Sequence, residues 1–372
     1  MSATVLVTGG AGFIGSHLAD TLLDAGYHVR VLDNLSEQVH GPDGAVPTYL
    51  AKDVEAQRGD VRDPDAVQRA LAGVDAVYHL AAMVGVGQSM YQIDNYVAAN
   101  DLGTANLLQC LINRPVGRLV VASSMSIYGE GLYRTANGSL VDQVVRAPDQ
   151  VAAGQWDPVD AAGVPLVPVG TPESKPPSLA SVYALSKYVQ ERMCLIFGEA
   201  YGIPTTALRF FNVFGTRQAL SNPYTGVLAI FASRLLNGRA PRIFEDGRQL
   251  RDFIHVRDVA NACRLALECD AAKGEVFNVG SGNTYTVVEL AERLASAMGR
   301  EDIAPEVTGE CRKGDIRHCF ADMTKARALL GFAPQVDFQD GLSELVAWVA
   351  IQEAADHADL AASELRRRGL VA

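Results

Sequence analysis

Val5-Leu6-Val7-Thr8-Gly9-Gly10-Ala11-Gly12-Phe13-Ile14-Gly15-Ser16-His17 runs from an apolar, β-branched stretch through closely spaced glycines into a segment of helical periodicity. Glycines 9, 12 and 15 form G-x-x-G-x-x-G, and Gly10 also satisfies G-x-G-x-x-G. Such a motif carries meaning where it follows a strand and opens a helix, which is its setting here. Glycine lets the backbone reverse sharply and approach a pyrophosphate, whose charge then sits at the positive end of the helix. Asp33, closing the next β-like run, is placed to accept hydrogen bonds from an adenosine ribose. Its carboxylate would repel a 2′-phosphate and no Arg follows it immediately, so NAD is expected rather than NADP.

Outward from this turn, β-branched runs at Thr4 to Val7, Val29 to Leu32, Ala76 to Leu80, Leu119 to Ala122 and Thr206 to Phe210 alternate with helix-period segments. The latter are Ile14 to Asp24, Pro64 to Leu71, Asn95 to Leu111 and Val182 to Glu199. This alternation implies an α/β fold, a doubly wound parallel (Rossmann) sheet over residues 1–210 with helices on both faces. After 211 the rhythm breaks into Gly-, Pro- and Asn-rich loops with helices near Leu228 to Leu236, Val259 to Leu267, Val287 to Met298 and Gly341 to Ala350. That reads as a smaller C-terminal substrate lobe over 211–372, with 250–282 returning a strand, Val276 to Val279, to the main sheet. Residues 129–177 lack sustained periodicity and read as an irregular surface insertion, which at that length is functional or mobile. The tail from Glu353, ending in Arg366-Arg367-Arg368, reads as a solvated helix without a direct role.

The chain has 372 residues, 48% apolar and 20% charged, which excludes disordered, collagen-like and membrane-spanning classes. Lys and Arg (32) against Asp and Glu (43) leave a net charge of -11, a field that repels phosphate polymers and anionic headgroups. Neither nucleic acid nor a membrane surface is therefore expected as a partner. Six cysteines, none in C-x-x-C, argue against a metal site or a disulfide framework and for a reducing cytoplasm. Met1-Ser2-Ala3 leads directly into the first β-like run with no basic leader, and no apolar stretch reaches the ~18 residues of a membrane span.

A second cluster, Ser123-Ser124-Met125-Ser126-Ile127-Tyr128-Gly129, follows the fourth of these runs, and Tyr183-Ala184-Leu185-Ser186-Lys187 follows later. Tyr and Lys at i and i+4 share one helix face, so an ammonium can sit beside the phenol. A free phenol has a pKa near ~10; an adjacent cation favours phenolate, a base usable near neutral pH. Ser124 or Ser126 could then hydrogen-bond a reacting hydroxyl. With these motifs in place the chain resembles the extended short-chain dehydrogenases/reductases that act on nucleotide sugars, in particular their NAD-dependent 4-epimerases. The resemblance runs from about Val5 to Trp348. It is carried in order by TGGAGFIGSH, LDN (Leu32 to Asn34), GDVRD (Gly59 to Asp63), HLAA (His79 to Ala82), SSMSIYG, YALSK, RFFNVFG (Arg209 to Gly215), RDFIHVRDVA (Arg251 to Ala260), FNVGSG (Phe277 to Gly282) and KGD (Lys313 to Asp315).

The resemblance implies that Tyr183 is the catalytic base, Lys187 its partner and a ribose ligand, and Ser124 the hydrogen-bonding assistant. For NAD it implies Gly9, Gly12, Phe13, Ile14, Gly15, Asp33 and Asn34 at the turn, with Asp60 and Val61 flanking the adenine. Leu80, Ala81 and Ala82 fall on the pyrophosphate side, joined by Asn100, Ser123 and Phe211. For a nucleotide sugar it implies Met125, Ser126, Asn212, Val227, Leu228, Arg242 and Cys319, with Phe244 packing the base and Arg251 and Arg312 on the diphosphate. Guanidinium groups suit that last role because they bind phosphate oxygens in bidentate fashion. The implied reaction removes the proton of the sugar 4-hydroxyl to Tyr183 and the C4 hydride to NAD, turns the 4-keto sugar over and returns the hydride to its other face. It also implies a homodimer through the helices at Asn95 to Leu111 and Val182 to Glu199.

Departures from the family pattern refine these expectations. Related 4,6-dehydratases carry an Asp-Glu pair where this chain has Met125 and Ser126, which cannot supply the acid and base for water elimination. Related decarboxylases also tend to have a Glu there. Val84 and Ala99 replace a Lys and an Asn that help to hold NAD. Cys319 stands where some epimerases have a bulky Tyr, which would leave room beside the sugar. The insertion, Gly85 to Tyr91 and Ala219 to Gly226 resemble the branch that interconverts dTDP-L-rhamnose and dTDP-6-deoxy-L-talose. UDP-glucose/UDP-galactose epimerisation, a nucleotide-sugar reductase or dehydrogenase, and a non-catalytic NAD-binding regulator are the other readings.

Overall fold

The computed structural model describes residues 3–371; Met1, Ser2 and Ala372, included in the sequence-based division, lie outside them. Seven parallel strands form the main sheet: β1 (Thr4–Thr8), β2 (His28–Asp33), β3 (Glu55–Arg58), β4 (Ala76–His79), β5 (Arg118–Ser124), β6 (Thr205–Phe210) and β7 (Val276–Val279). Their order is β7-β6-β5-β4-β1-β2-β3, so the strand at 276–279 does lie in the main sheet, beside β6. Strand β1 lies inside the sheet, Val5 pairing with Val29 on one side and Ala76 on the other. Because successive side chains point to opposite faces, Val5 and Val7 enter one core while Leu6 enters the other.

Helices α1 (Phe13–Asp24) and α6 (Val256–Glu268) cover the first face, meeting through Leu18, Leu22, Val259 and Cys263. Helices α2 (Pro64–Ala70), α3 (Gly103–Asn113) and α4 (Val182–Tyr201) cover the second, through Val67, Leu107, Leu111, Cys194 and Phe197. Helix α4 begins at Ser181, whose hydroxyl accepts from Ala184 N at 3.1 Å, and stops at Gly202, in the left-handed region at φ +67°. A separate core around Phe214, Phe231, Phe253 and Leu290 joins α5 (Val227–Leu236) to the helices at Val287–Ala297 and Phe338–Val349.

Three segments differ from the sequence reading. The helix expected over Asn95 to Leu111 is broken: a wide π-type turn at Val97–Leu102 precedes α3, a distortion common beside functional sites. The insertion is ordered around Tyr133, Val144 and Leu166, with Leu132–Arg134 paired antiparallel to both Leu140–Val141 and Val167–Val169. The tail is not a solvated helix. Over Ala358–Arg367 it packs onto the body, with Leu365 buried against Gly87, Arg366 paired to Glu310 and the Arg368 guanidinium 4.6 Å above the Tyr91 ring. Leu370 O accepts from Lys313 N at 2.9 Å, and Val371 bridges Arg312. No helix among the described residues is long and apolar enough to cross a membrane.

Candidate functional site

Strand order reverses between β1 and β4, and in such sheets the crevice at the carboxyl ends of those two strands is where ligands sit. The glycine turn leaves β1 at this point and Leu80, Ala81 and Ala82 leave β4 opposite it. Gly9, at φ +70°, lies so near that a Cβ would stand 2.8 Å from Ala81 N. A Cβ on Gly10 would stand 2.5 Å from Val31 Cγ2, and one on Gly15 would collide with the Gly9 carbonyl oxygen. These three glycines are required by the protein's own packing. Gly12 is different: the nearest atom to its Cβ position is Gly9 O at 3.4 Å, so its bare face is turned toward open space. Gly12 is also the N-cap of α1 and no side chain caps that helix, which leaves first-turn N–H groups available to an anion. A pyrophosphate fits this cradle.

Asp33 organises the rim: one oxygen accepts from Ala11 N at 3.0 Å, the other from Leu35 N at 2.9 Å. Asn34 donates to Asp60 at 2.9 Å. Burial alone would raise the Asp60 carboxyl, but the Arg62 guanidinium and Asn34 outweigh it and hold it down to about 2. Val61 fills the space left by Gly103. Asn100, fully buried, donates to Met83 O and Ser186 Oγ and accepts from Met83 N at 2.7 Å, so its amide ties the loop after Ala82 to α4. Phe13 stands edge-on to His17, Ile14 packs against the core, and Phe211 is buried beside Tyr128.

Across the crevice, α4 presents Tyr183 and Lys187, both buried. Burial pushes the Tyr183 phenol up, and a hydrogen bond with Ser124 opposes that rise. Lys187 donates to Gln190 Oε1 at 2.9 Å, and burial pulls its ammonium down to about 8. The stabilising partner of the phenol is thus Ser124, while the ammonium is anchored by an amide one turn further along the helix. Gln190 Nε2 donates to Thr104 Oγ1 at 2.9 Å, His79 Nε2 lies 2.9 Å from the same oxygen, and His79 Nδ1 lies 2.8 Å from Thr8 Oγ1. Burial lowers His79 to about 3, so the imidazole is neutral. One hydrogen-bonded network therefore runs from Lys187 to the residue preceding Gly9. Gln190 was not singled out in the sequence, although its i, i+3 spacing from Lys187 carries the signal. Ser89, whose hydroxyl accepts from Tyr183 N at 3.0 Å, and Tyr96, edge-on to Tyr183 at 6.4 Å, were also missed.

The two adjacent serines separate because a strand alternates. Ser124 Oγ lies 3.1 Å from Ser126 Oγ on the crevice side, near buried Met125, whereas Ser123 donates to Glu191 Oε2 at 2.6 Å within the buried Glu191–Arg209 pair. Farther out, Asn212 donates to Asp252 O at 2.9 Å, and α5 opens at Val227 and Leu228 behind the uncapped Gly226. Arg251 donates to the carbonyl oxygens of Leu250, Arg317 and Ile316; among the described residues no carboxylate is within 4 Å of it, though Asp315, Glu130 and Glu245 act on it from farther off. Arg312 lies 4.4 Å over the Phe244 ring and pairs with Asp315 at 2.9 Å. Arg242 is taken up by Glu306, Glu310 and Asp359 at 3.5 to 3.7 Å. Cys319 pairs in register with Arg251 but is buried, and burial pushes its thiol up to about 12. The room expected beside it is filled by the insertion: Thr171 Oγ1 lies 3.9 Å from Sγ, and Gly131 packs on the Cys319 backbone.

Known proteins resemble this chain in sequence and fold. The chain is 32% identical over 350 residues to the dTDP-L-rhamnose 4-epimerase of Burkholderia thailandensis, an alignment covering 93% of this chain and 94% of that one. Among solved structures it resembles the UDP-glucose 4-epimerase of Thermotoga maritima with UDP-glucose (TM-score 0.76, 32% identity, 93% of this chain and 98% of that one). It also resembles the Thermus thermophilus UDP-glucose 4-epimerase in complex with NAD (TM-score 0.75, 32% identity, 94% and 100%). Residues 5–146 and 160–280 match the NAD dependent epimerase/dehydratase family, with the glycine turn and the Tyr183–Lys187 helix inside the matched spans, and the chain belongs to that family.

Proposed function

We propose that the protein is an NAD-dependent nucleotide-sugar 4-epimerase. The observation that carries this reading is the buried Tyr183, hydrogen-bonded to Ser124 and one turn from Lys187, facing the crevice that the glycine turn opens. When bound, NAD supplies the acceptor and then the donor of the C4 hydride. Tyr183 would take the proton of the 4-hydroxyl with Ser124 as its hydrogen-bond partner, and Lys187, one turn along the helix, would hold the cofactor ribose. Arg251 donates to carbonyl oxygens and, among the described residues, forms no ion pair within 4 Å, so its guanidinium remains open to the oxygens of a diphosphate. Arg312 and the first N–H groups of α5 offer further donors. Met125 and Ser126 supply no acid-base pair, which favours epimerisation over dehydration.

The Burkholderia relative supports dTDP-L-rhamnose and dTDP-6-deoxy-L-talose as the substrate pair; the Thermotoga and Thermus structures make a UDP-hexose the second reading. Proton NMR of purified protein with NAD and either dTDP-L-rhamnose or UDP-glucose should show the C4 epimer growing to equilibrium with no net rise in NADH absorbance. A steady rise in NADH would instead identify a dehydrogenase, and unchanged sugars with NAD-loaded protein would overturn the assignment.

We also infer a homodimer. Leu102 and Ile112, at and along α3, and Leu185 and Ile196 on α4 are exposed apolar side chains on two neighbouring helices, a face that a second copy would cover. Light scattering should give twice the chain mass, and Leu185→Glu should shift it toward the monomer. Six free thiols support a reducing, cytosolic setting.

A further inference from the structure

The insertion turns two charged side chains, Glu130 and Arg146, inward. Arg146, nearly buried, donates from Nη1 to Glu245 Oε1 at 2.6 Å and from Nη2 to Asp315 O at 3.0 Å, while its Nε lies 3.2 Å from Glu130 Oε1. The second oxygen of Glu245 accepts from Arg317 at 3.1 Å, and Arg317 also binds Asp246 and, from the insertion, Asp157 at 2.7 Å. Glu130 accepts from the backbone N–H groups of Arg317 and His318. Glu245 and the Arg317 side chain are each only 1% exposed. Such a cluster is intolerant of losing one member, because a buried charge is then left without its partner.

Two of the atoms that Arg146 grips, Glu245 Oε1 and Asp315 O, matter for what lies beside them. Glu245 directly follows Phe244 and sits at φ +54°, a conformation that a non-glycine residue keeps only when its surroundings over-determine it. Asp315 holds Arg312, whose guanidinium stacks on Phe244. One side chain of the insertion therefore fixes both halves of the Phe244–Arg312 pair.

We propose that residues 129–177 are a positioning element for the nucleotide, and that Arg146 is its positioning residue, setting the aromatic ring against the guanidinium. This rests on reading Phe244 and Arg312 as contacts of the base and diphosphate. The test uses full-length, NAD-loaded protein carrying Arg146→Met, Arg146→Lys, or Arg146→Met with Glu245→Gln, the last leaving no orphaned carboxylate at Glu245. Calorimetry with dTDP and with UDP, kcat and KM with the turned-over nucleotide sugar, and bound NAD are measured on each. Arg146→Met should weaken nucleotide Kd and raise KM about tenfold, the loss of one good interaction, with kcat and NAD content little changed. Arg146→Lys should recover part of the affinity, since it keeps the charge without the fork. If Arg146→Met does not fold, the double variant decides. Wild-type nucleotide affinity in the folded double variant would overturn the proposal, as would a fall confined to kcat. Wild-type protein that binds neither dTDP nor UDP would overturn the functional reading itself and the proposal with it.

Discussion

Tyr183→Phe should lower kcat by about 10²- to 10⁴-fold, the range for loss of a positioned general base, while the protein stays folded and loaded with NAD. The ring is buried and edge-on to Tyr96, so Phe keeps the packing. The hydroxyl it removes is the one bonded to Ser124, and the nearby Lys187 is engaged by Gln190. The pH profile supplies a second signature. Lys187 is held at about 8, so the ammonium is lost on the alkaline side and wild-type kcat should fall above that pH. Turnover of Tyr183→Phe within tenfold of wild type would remove Tyr183 from the role of base.

Gly12→Ala and Gly15→Ala should separate cofactor binding from folding. At Gly12 the added methyl meets only Gly9 O, at 3.4 Å, and the backbone, at φ -74°, accepts an L residue without strain. The methyl enters the face where the pyrophosphate would lie, so NAD retention should fall steeply while the melting temperature of the cofactor-free protein is nearly unchanged. At Gly15 the methyl strikes the Gly9 carbonyl and the Gly10 backbone, neither of which can swing aside. That variant should lose NAD and also be destabilised by about 1–3 kcal/mol, the usual cost of overpacking. Equal NAD content in wild type and Gly12→Ala, measured after denaturing the purified proteins, would contradict the cradle described for this turn.

Much of this was legible in the residues. The strands β1, β2, β4, β5, β6 and β7 are apolar and β-branched because helices bury them on both faces, and that composition marks them without a structure. Strand β3 escaped notice because Glu-Ala-Gln-Arg at 55–58 has no β-branched residue; it is an edge strand that exists by pairing with β2. Tyr183 and Lys187 share a helix face and could be paired on spacing. The meeting of Lys187's network with His79, Thr104 and Thr8 depends on the strand order and could not. The insertion lacks periodicity and the tail is Ala-rich and ends in arginines, so both read as surface, and Arg146, Asp157, Arg366 and Arg368 are residue types that ordinarily seek water. Here each finds an opposite charge or an aromatic face on a distant loop, and such pairings leave no periodic trace.

The position of the insertion within the sheet has a kinetic consequence. It lies, with all of α4, between β5 and β6, two neighbouring strands paired from Leu119 with Thr205 to Ser124 with Phe210. Closing a loop of that length costs chain entropy before any pairing is gained. Ser124 sits at the end of β5 and Tyr183 inside that same loop. The proposed catalytic pair therefore comes together only when this loop closes, so the return of activity after denaturation reports the docking of β5 on β6 and not the appearance of helix alone.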